Sequence, residues 1–543
     1  MGMGTSRLLM GSGASFCATS FVIAVAACGA NGARSPSTPT DGGVGADTGV
    51  PGDAGLDVEA GNPLDYLDKP LREQVTALDK GIITSAGLTS GYLGRIATRD
   101  KGDGGVHAVI VTDPQVMAHA SALDAERGKG ALLQGAAIFV KDNIDTKGIA
   151  TTAGSLAMAN NVPMDDAYVV QRIHAAQGLV FAKTNLSEWA NFRSTSPTSG
   201  WSSLGGQTFD GRNTGYDPCG SSSGSAAGVA AGLASAALGT ETNGSIVCPS
   251  SVNGVVGFKP TVGLVSRAGV IPISASQDTV GPITRTVGDA ARMLSVIAGP
   301  DANDPATQNI PQGMSLDFEG PLANATLKGK RLGVVLAFDF GTDVMNVFNA
   351  ALAKMQAAGA VIVNPISLDT TSWEQNELTM LLTEFKVGIN AYLAAHSVPG
   401  QPTTLADLIA FDQAHASTVM PYFGQELFTQ AQATTGLSDS TYVTAKQAAQ
   451  MATRGGIDKA LSAAKLDALV SPTFDPAWAI DYKTGDPSTL HGSEGPAAVA
   501  GYPHLTMPMG QVNGLPVGIS FFGTAWRDAQ MLALGYAFEQ LPP

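Results

Sequence analysis

The sequence predicts an α/β fold assembled as one large unit. Three observations carry that expectation. Strand-like and helix-like segments alternate from near residue 106 towards the C-terminus. The chain is 44% hydrophobic with 65 Gly and 30 Pro, a balance that suits a buried, turn-rich core and lies outside the charged, apolar-poor composition of disordered chains. No composition break after Gly61 marks a second linker. At a soft prior of about 150 residues per domain, 543 residues could hold three domains; the missing internal linker favours a single one over residues 64–543.

Taken in order, residues 1–27 open with Arg7 as a weak positive region and run through Leu8, Leu9 and the apolar segment ending at Ala27, which reads as a secretory signal. Gly and Ser break it too often for a membrane span. Its end, Val25-Ala26-Ala27-Cys28, resembles a bacterial lipobox, so Cys28 is expected to be lipidated in an exported, envelope-anchored protein. A plain signal peptide is the alternative. Residues 28–63 have almost no large apolar side chains and are expected to form a disordered tether.

Residues 71–80 and 85–98 read as helices and 106–111 as a strand. Asp113-Pro114 then opens a helix that stops before Gly128. Residues 136–140 form a short apolar strand with Lys141 at its C-terminal end, where α/β sheets gather their sites. A helix over 165–176, stopped by Gly178, leads to a strand over 179–182. Further on, strands at 333–336 and 361–363 flank a helix over 345–357, ended by Gly359. Helices are expected at 374–395, 404–414 and 440–464, and the last two strands at 468–470 and 514–523.

Charge excludes one class of partner. With 31 Lys+Arg against 46 Asp+Glu the net charge is −15 and no basic footprint for nucleic acid exists. The four cysteines, at 17, 28, 219 and 248, match no zinc spacing, so no metal and no cofactor are expected. Cys219 and Cys248 are read as two small buried thiols, with a disulfide as the alternative. Trp189 and Trp201 are read as core, with pocket lining as the alternative, and Asp142 and Asn143 as turn formers.

From Cys219 to Lys259 small residues displace nearly everything else. Ser221, Ser222 and Ser223 stand in one cluster and Ser245 alone, each cluster beside glycine, which lets backbone N–H groups approach a ligand. A flexible linker would not carry the apolar run 226–238. A serine nucleophile needs a base. Gly220-Ser221-Ser222-Ser223-Gly224 fits a nucleophile elbow with Ser222 attacking and His491 or His504 as base, but a polar loop, not a strand, precedes it. A desolvated lysine is the other candidate base, and Lys141 at the end of an apolar strand suits it, with a second serine relaying the proton.

Lys141 in FVKDN, Ser221 in CGSSSG and Ser245 in GTETNGSIVCPSSVNGVVGFKPT together resemble the amidase signature family. TNLSEWANFRS, GLVSRAGVIPISASQDTVGPITRT and GLPVGISFFG extend the resemblance over most of the chain. It implies a large mixed β-sheet covered by helices on both faces, with Ser245 as nucleophile, Ser221 as a bridging serine beside a cis peptide, and Lys141 as base. It also implies an oxyanion hole from the backbone amides of Thr242, Asn243, Gly244 and Ser245, supported by Ser222 and Glu241. Within the family the chain is similar to bacterial peptide amidases, which implies hydrolysis of C-terminal carboxamides. Amidases of broader acyl or aryl amides, an ammonia-supplying subunit acting on tRNA, and a non-catalytic peptide-binding lipoprotein are the competing readings. Glu241, Asn243 and Val247 depart from the family's aspartate, glycine and arginine, and Cys219 and Ser223 from its glycines.

Overall fold

Burial on both faces decides the centre of the molecule. The strand β1 (Val109–Thr112) is half-buried, whereas β2 (Ala137–Lys141) and β3 (Leu179–Thr184) are buried along their whole length, as expected of strands covered by helices on both sides. A small hairpin follows, β4 (Trp201–Ser202) with β5 (Gly206–Gln207). Then come the fully buried β6 (Ala236–Glu241), β7 (Val256–Lys259) and β8 (Thr279–Thr284). The C-terminal half adds β9 (Arg331–Val335), β10 (Val361–Ile366), β11 (Ala468–Pro472), β12 (His504–Val512) and β13 (Leu515–Phe522). These elements come from a computed structural model that describes residues 61–542 apart from 337–338, 369–372 and 397–399. The signal over 1–27, the lipidation site Cys28 and residues 28–60 of the expected tether lie outside the described residues.

Eleven of these strands form one mixed sheet in the order β1-β3-β2-β6-β8-β7-β12-β13-β11-β9-β10. Parallel pairs β3/β2/β6 and β11/β9/β10 enclose a central antiparallel run. Apolar strand residues such as Phe139, stacked on Phe181 with ring centroids 4.8 Å apart, fill the main core together with helices Val287–Ile297 and Asp528–Glu539. A second apolar cluster joins Trp189, Phe192, Ile271 and Ile273 to helices Trp373–Ala395, Leu405–Ala414 and Glu426–Gln432. Trp189 meets Phe428 edge-on at 5.6 Å and Trp201 meets Phe423 at 5.2 Å, so both tryptophans are core residues.

Expected and observed elements differ where local signals were weak. The helix placed at Asp113-Pro114 starts at Val116, because the Asp113 carboxylate accepts the Gln115 N–H and holds a turn first. The strand placed at 106–111 begins at Val109. The strands expected at 468–470 and 514–523 are present as β11 and β13, but β12 between them is not among the expected strands: His504–Val512 contains a proline, a local signal against a strand, yet it pairs with both β7 and β13. Its Pro508 sits next to a register shift, the position in a sheet where proline is tolerated. Short elements inside the small-residue run show no helical period: the helix Ser223–Ala230 is rich in Gly, Ser and Ala, and the helix Val247–Val252 has only six residues with a proline among them.

Candidate active site

The topology brings two strand ends together. Strands β2 and β6 are parallel neighbours, with Val140 opposite Leu238, so Lys141 and Glu241 both leave the sheet at its carboxyl edge. The turn after β6 carries Ser245 into the helix Val247–Val252, and Ser221 and Ser222 lie just before the helix Ser223–Ala230 that leads back into β6. The serine segments are bound to each other through the backbone: the Ser222 N–H donates to the Ser245 carbonyl at 3.1 Å. The Ser221 carbonyl accepts from the Ser187 N–H at 3.2 Å.

Lys141 has no exposed surface. Its Nζ lies 2.7 Å from Ser221 Oγ, 3.1 Å from Ser222 Oγ and 3.2 Å from the Thr240 carbonyl oxygen. Burial pulls the ammonium down to a pKa of about 7, a shift that the negative charges of Asp278 and Glu241 partly oppose. The peptide bond between Gly220 and Ser221 is cis. Gly220 has no room for a side chain, since a Cβ there would stand 2.1 Å from Ser187 Oγ. Ser245 is the most exposed of the three, at 8%, and lines a small chamber with Ser221, Asn143, Thr240, Thr242 and Asp278.

Two other lysines are equally buried, and their partners separate them from Lys141. Lys183 Nζ forms an ion pair with Asp142 at 3.3 Å and donates to the Ile144 carbonyl and Thr151 hydroxyl. Lys259 donates to the carbonyls of Pro260 and Tyr502. Of these three amines, Lys141 is the one in contact with the serines. The elbow alternative is not supported by the geometry: His504 Nε2 is bonded to Ser520 Oγ at 2.6 Å and burial presses its pKa to about 3, while His491 pairs with Asp475 at 3.1 Å. Ser222 Oγ instead donates to the Thr240 carbonyl and accepts from the Thr240 N–H and from Lys141.

Buried carboxyls shape the 242–245 turn. Glu241 Oε2 accepts the N–H groups of Ile246 at 2.8 Å and Val247 at 3.1 Å. Burial raises its pKa, and the Lys259 charge and the amides of Ile246, Val247 and Gly244 work against that rise. Backbone donors and the charge of Lys259 on β7 thus hold the Glu241 carboxylate, with Val247 contributing only its N–H. Asn243 Nδ2 and Gln277 Nε2 both donate to Glu377 Oε1, at 2.9 and 2.8 Å, and Thr242 Oγ1 donates to Asp278 at 2.6 Å. Gly244 has φ +81°, and a Cβ there would press against Glu494 at 2.9 Å. Among the described residues, none accepts a hydrogen bond from the backbone N–H of Asn243 or Ser245. Gln277 and Asp278 are present in the QDT segment of the sequence resemblance and Lys259 in its GFKPT segment; Glu377 carries no local signal.

Asn143 is more than a turn former: its Nδ2 donates to Thr240 Oγ1 at 2.9 Å and it lines the chamber. Cys219 and Cys248, expected as thiols, form a disulfide. The turn at 219 and the helix at 247–252 bring their Cα atoms to 6.0 Å, within bonding reach. The bond joins the segment that leads into Ser221 to the segment that follows Ser245. It also walls a cavity of about 470 Å³ that reaches Gly220, Asn243 and Gly244. Among the described residues no cluster of side chains could hold a metal ion, and no helix is long and apolar enough to cross a membrane.

The amidase family model matches residues 88–532. The chain belongs to the amidase signature family. It is an amide-hydrolysing enzyme, and its sheet of eleven strands with helices is the fold of that family. Solved structures of a peptide amidase are among the proteins it resembles: the native enzyme from Stenotrophomonas maltophilia (46% identity, TM-score 0.82) and a complex with the competitive inhibitor chymostatin (46%, TM-score 0.83). Each alignment covers 88% of this chain and 98% of the other. A "probable amidase" of Arabidopsis thaliana is 37% identical over 452 residues, 80% of this chain and 83% of that protein.

Two expectations follow from the geometry. Replacing both Cys219 and Cys248 by alanine opens a loop with a sequence separation of 29 residues and lowers stability by about 3.6 kcal/mol on the loop-entropy scale, read as a lower thermal midpoint; an unchanged midpoint would mean that the bond adds nothing. Glu241→Ala strands two buried N–H groups at about 1–3 kcal/mol each and lowers both thermal midpoint and amidase rate. Glu241→Gln, which keeps one acceptor oxygen, recovers most of both.

Proposed function

We propose that the protein is an exported serine amidohydrolase that removes ammonia from the C-terminal carboxamides of peptides, with Ser245 as nucleophile, Ser221 as proton relay and Lys141 as base. The observation that carries this reading is the contact between a fully buried Lys141 and Ser221 Oγ at 2.7 Å, beside a chamber that Ser245 shares. A neutral amine has two N–H donors and one lone pair. Here the donors fit Ser222 Oγ and the Thr240 carbonyl, which leaves the lone pair for the Ser221 hydroxyl.

In this mechanism Ser245 Oγ attacks the carboxamide carbon and its proton passes to Ser221, whose own proton passes to Lys141. The tetrahedral oxygen takes hydrogen bonds from amides of the 242–245 turn, held in place by Glu241, Glu377 and Asp278 before substrate arrives. The proton returns through Ser221 to the nitrogen as the C–N bond breaks, and ammonia departs from an ester on Ser245. Water then attacks that ester by the same relay and releases the carboxylate. No cofactor enters these steps.

The peptide-amide substrate class is supported by the 46% identity to a peptide amidase, one structure of which holds chymostatin as competitive inhibitor. Export is supported by the Val25-Ala26-Ala27-Cys28 sequence and by the Cys219–Cys248 disulfide, a bond characteristic of oxidising compartments. Lipidation at Cys28 would hold the enzyme at the cell envelope; mass spectrometry of the membrane fraction tests it, and a water-soluble product starting at another residue refutes it.

Ser245→Ala in protein lacking residues 1–60 is expected to abolish ammonia release from amidated peptides and labelling by a fluorophosphonate. Lys141→Ala is expected to cost about 10³-fold in kcat. Loss of labelling in Ser222→Ala with retention in Ser245→Ala would return the nucleophile to Ser222. Because Lys141 must be neutral to act, kcat/KM for ammonia release should rise with pH through about 7, where burial has set its pKa. A profile flat from about pH 5 to 9 would remove Lys141 as the base.

A further inference from the structure

The cavity beside the 242–245 turn has an unusual wall. Glu374, Asp486 and Glu494 line it, with the aromatic rings of Trp373, Phe474 and Trp478, and no lysine or arginine is among its lining residues. The Phe474 and Trp478 ring centroids lie 6.1 Å apart and tilted by 40°, an open angle of two faces. Asp486 is already engaged: both its oxygens accept the Ser199 N–H.

Two groups in this wall have no partner in the fold. The Oε2 atom of Glu494 is buried and meets no hydrogen-bond donor, although such an atom ordinarily finds one. Trp373, only 6% exposed, has an indole N–H that meets no acceptor. Glu494 is also given its place by two glycines of the same wall. A Cβ on Gly244 would lie 2.9 Å from its Cγ, and one on Gly492 would lie 2.1 Å from Oε2. Either side chain would expel the carboxyl, so the wall is built around it.

The other carboxyls near the turn are committed. Glu241 accepts the N–H groups of Ile246 and Val247, and Glu377 accepts Asn243 and Gln277. Glu241 Oε1 and Glu494 Oε2 are both buried without a donor, and of these two glutamates Glu494 is the one that lines the cavity. A carboxylate beside aromatic faces is an environment for an organic cation: the carboxylate takes N–H donors and the rings attract the charge.

We propose that this cavity receives the acyl part of the substrate and selects for a cationic group on it, a guanidinium or ammonium, with Glu494 accepting its hydrogen bonds, Phe474 and Trp478 facing its charge and Glu374 at the exposed rim. The proposal deepens the peptide-amide reading and rests on it. The net charge of −15 works in the same direction by drawing cations to the protein. The Trp373 indole N–H is then free for a carbonyl oxygen of the same acyl group, which gives the cavity a donor for the substrate backbone and an acceptor for its side chain.

The test is kcat/KM for ammonia release from N-acetyl amides of arginine, lysine, leucine and glutamate; acetylation removes the α-ammonium, so the side chain supplies the charge. The arginine and lysine amides are expected to exceed the leucine amide by about tenfold, the scale of one carboxylate with aromatic faces, and the glutamate amide to be slowest. Glu494→Gln should bring the arginine-to-leucine ratio close to one. Glu374 is exposed at the rim, so Glu374→Gln folds as the parent does and should lower the same ratio about twofold, the scale of a screened surface charge. Equal rates for all four amides, a preference for the glutamate amide, or a ratio unmoved in both variants overturns the inference and leaves the amidase reading standing. No ammonia from any of the four overturns both.

Discussion

Everything near the serines follows from keeping one amine out of water. An ammonium in an apolar interior is costly unless paired, and the protein's response at Lys141 is to lower its proton affinity instead of pairing it. Its three neighbours are two hydroxyls and a carbonyl, none of them charged. Lys183, on the adjacent strand, shows the opposite solution, with Asp142 in contact at 3.3 Å. Parallel strands therefore deliver two lysines in different settings: one is paired with a carboxylate and holds the loop after β2, and the other meets no charged partner within hydrogen-bond reach.

The turn that bears Ser245 is rigid for a related reason. Four small or polar residues make the turn 242–245; the side chains of Thr242 and Asn243 and the N–H groups of Ile246 and Val247 just after it are bonded to buried carboxyls. Those carboxyls come from distant parts of the chain: Glu241 from β6, Asp278 from the start of β8 and Glu377 from the long helix Trp373–Ala395. The helical cluster that packs on Trp189 and Phe428 thus reaches the 242–245 turn through Glu377. Desolvation by the surrounding protein pushes Glu377 and Glu494 up to pKa values of about 7, so the charge around the turn is sensitive to pH in the same range as Lys141 itself.

How much of this the sequence disclosed depended on the range of the interaction. Lys141 was legible because an apolar run ends at it, and Ser221 and Ser245 because glycines flank them in the family's motifs. The alternation of elements revealed the α/β class, and buried runs such as 136–140 and 179–182 gave their strands. Glu377 was not legible, since it meets Asn243 and Gln277 across separations of 134 and 100 residues with nothing in its own neighbourhood to mark it; Lys259 stood in the GFKPT stretch, but its effect on Glu241 runs between strands and had no sequence signal. The disulfide was misjudged for the same reason: spacing says nothing of distance until the turn at 219 and the helix at 247–252 are packed together. The strand His504–Val512 was lost to a proline that only its bulged pairing accommodates.

The complete burial of Lys141, Lys183 and Lys259 has a practical side. Reagents that acylate amines attack neutral amines that solvent can reach, and a depressed pKa would ordinarily make Lys141 the most reactive lysine in the chain. Enclosure separates the two properties. Surface lysines such as Lys129 and Lys147 remain open to coupling, so the enzyme can be attached to a resin through its amines while the enclosed Lys141 stays underivatised.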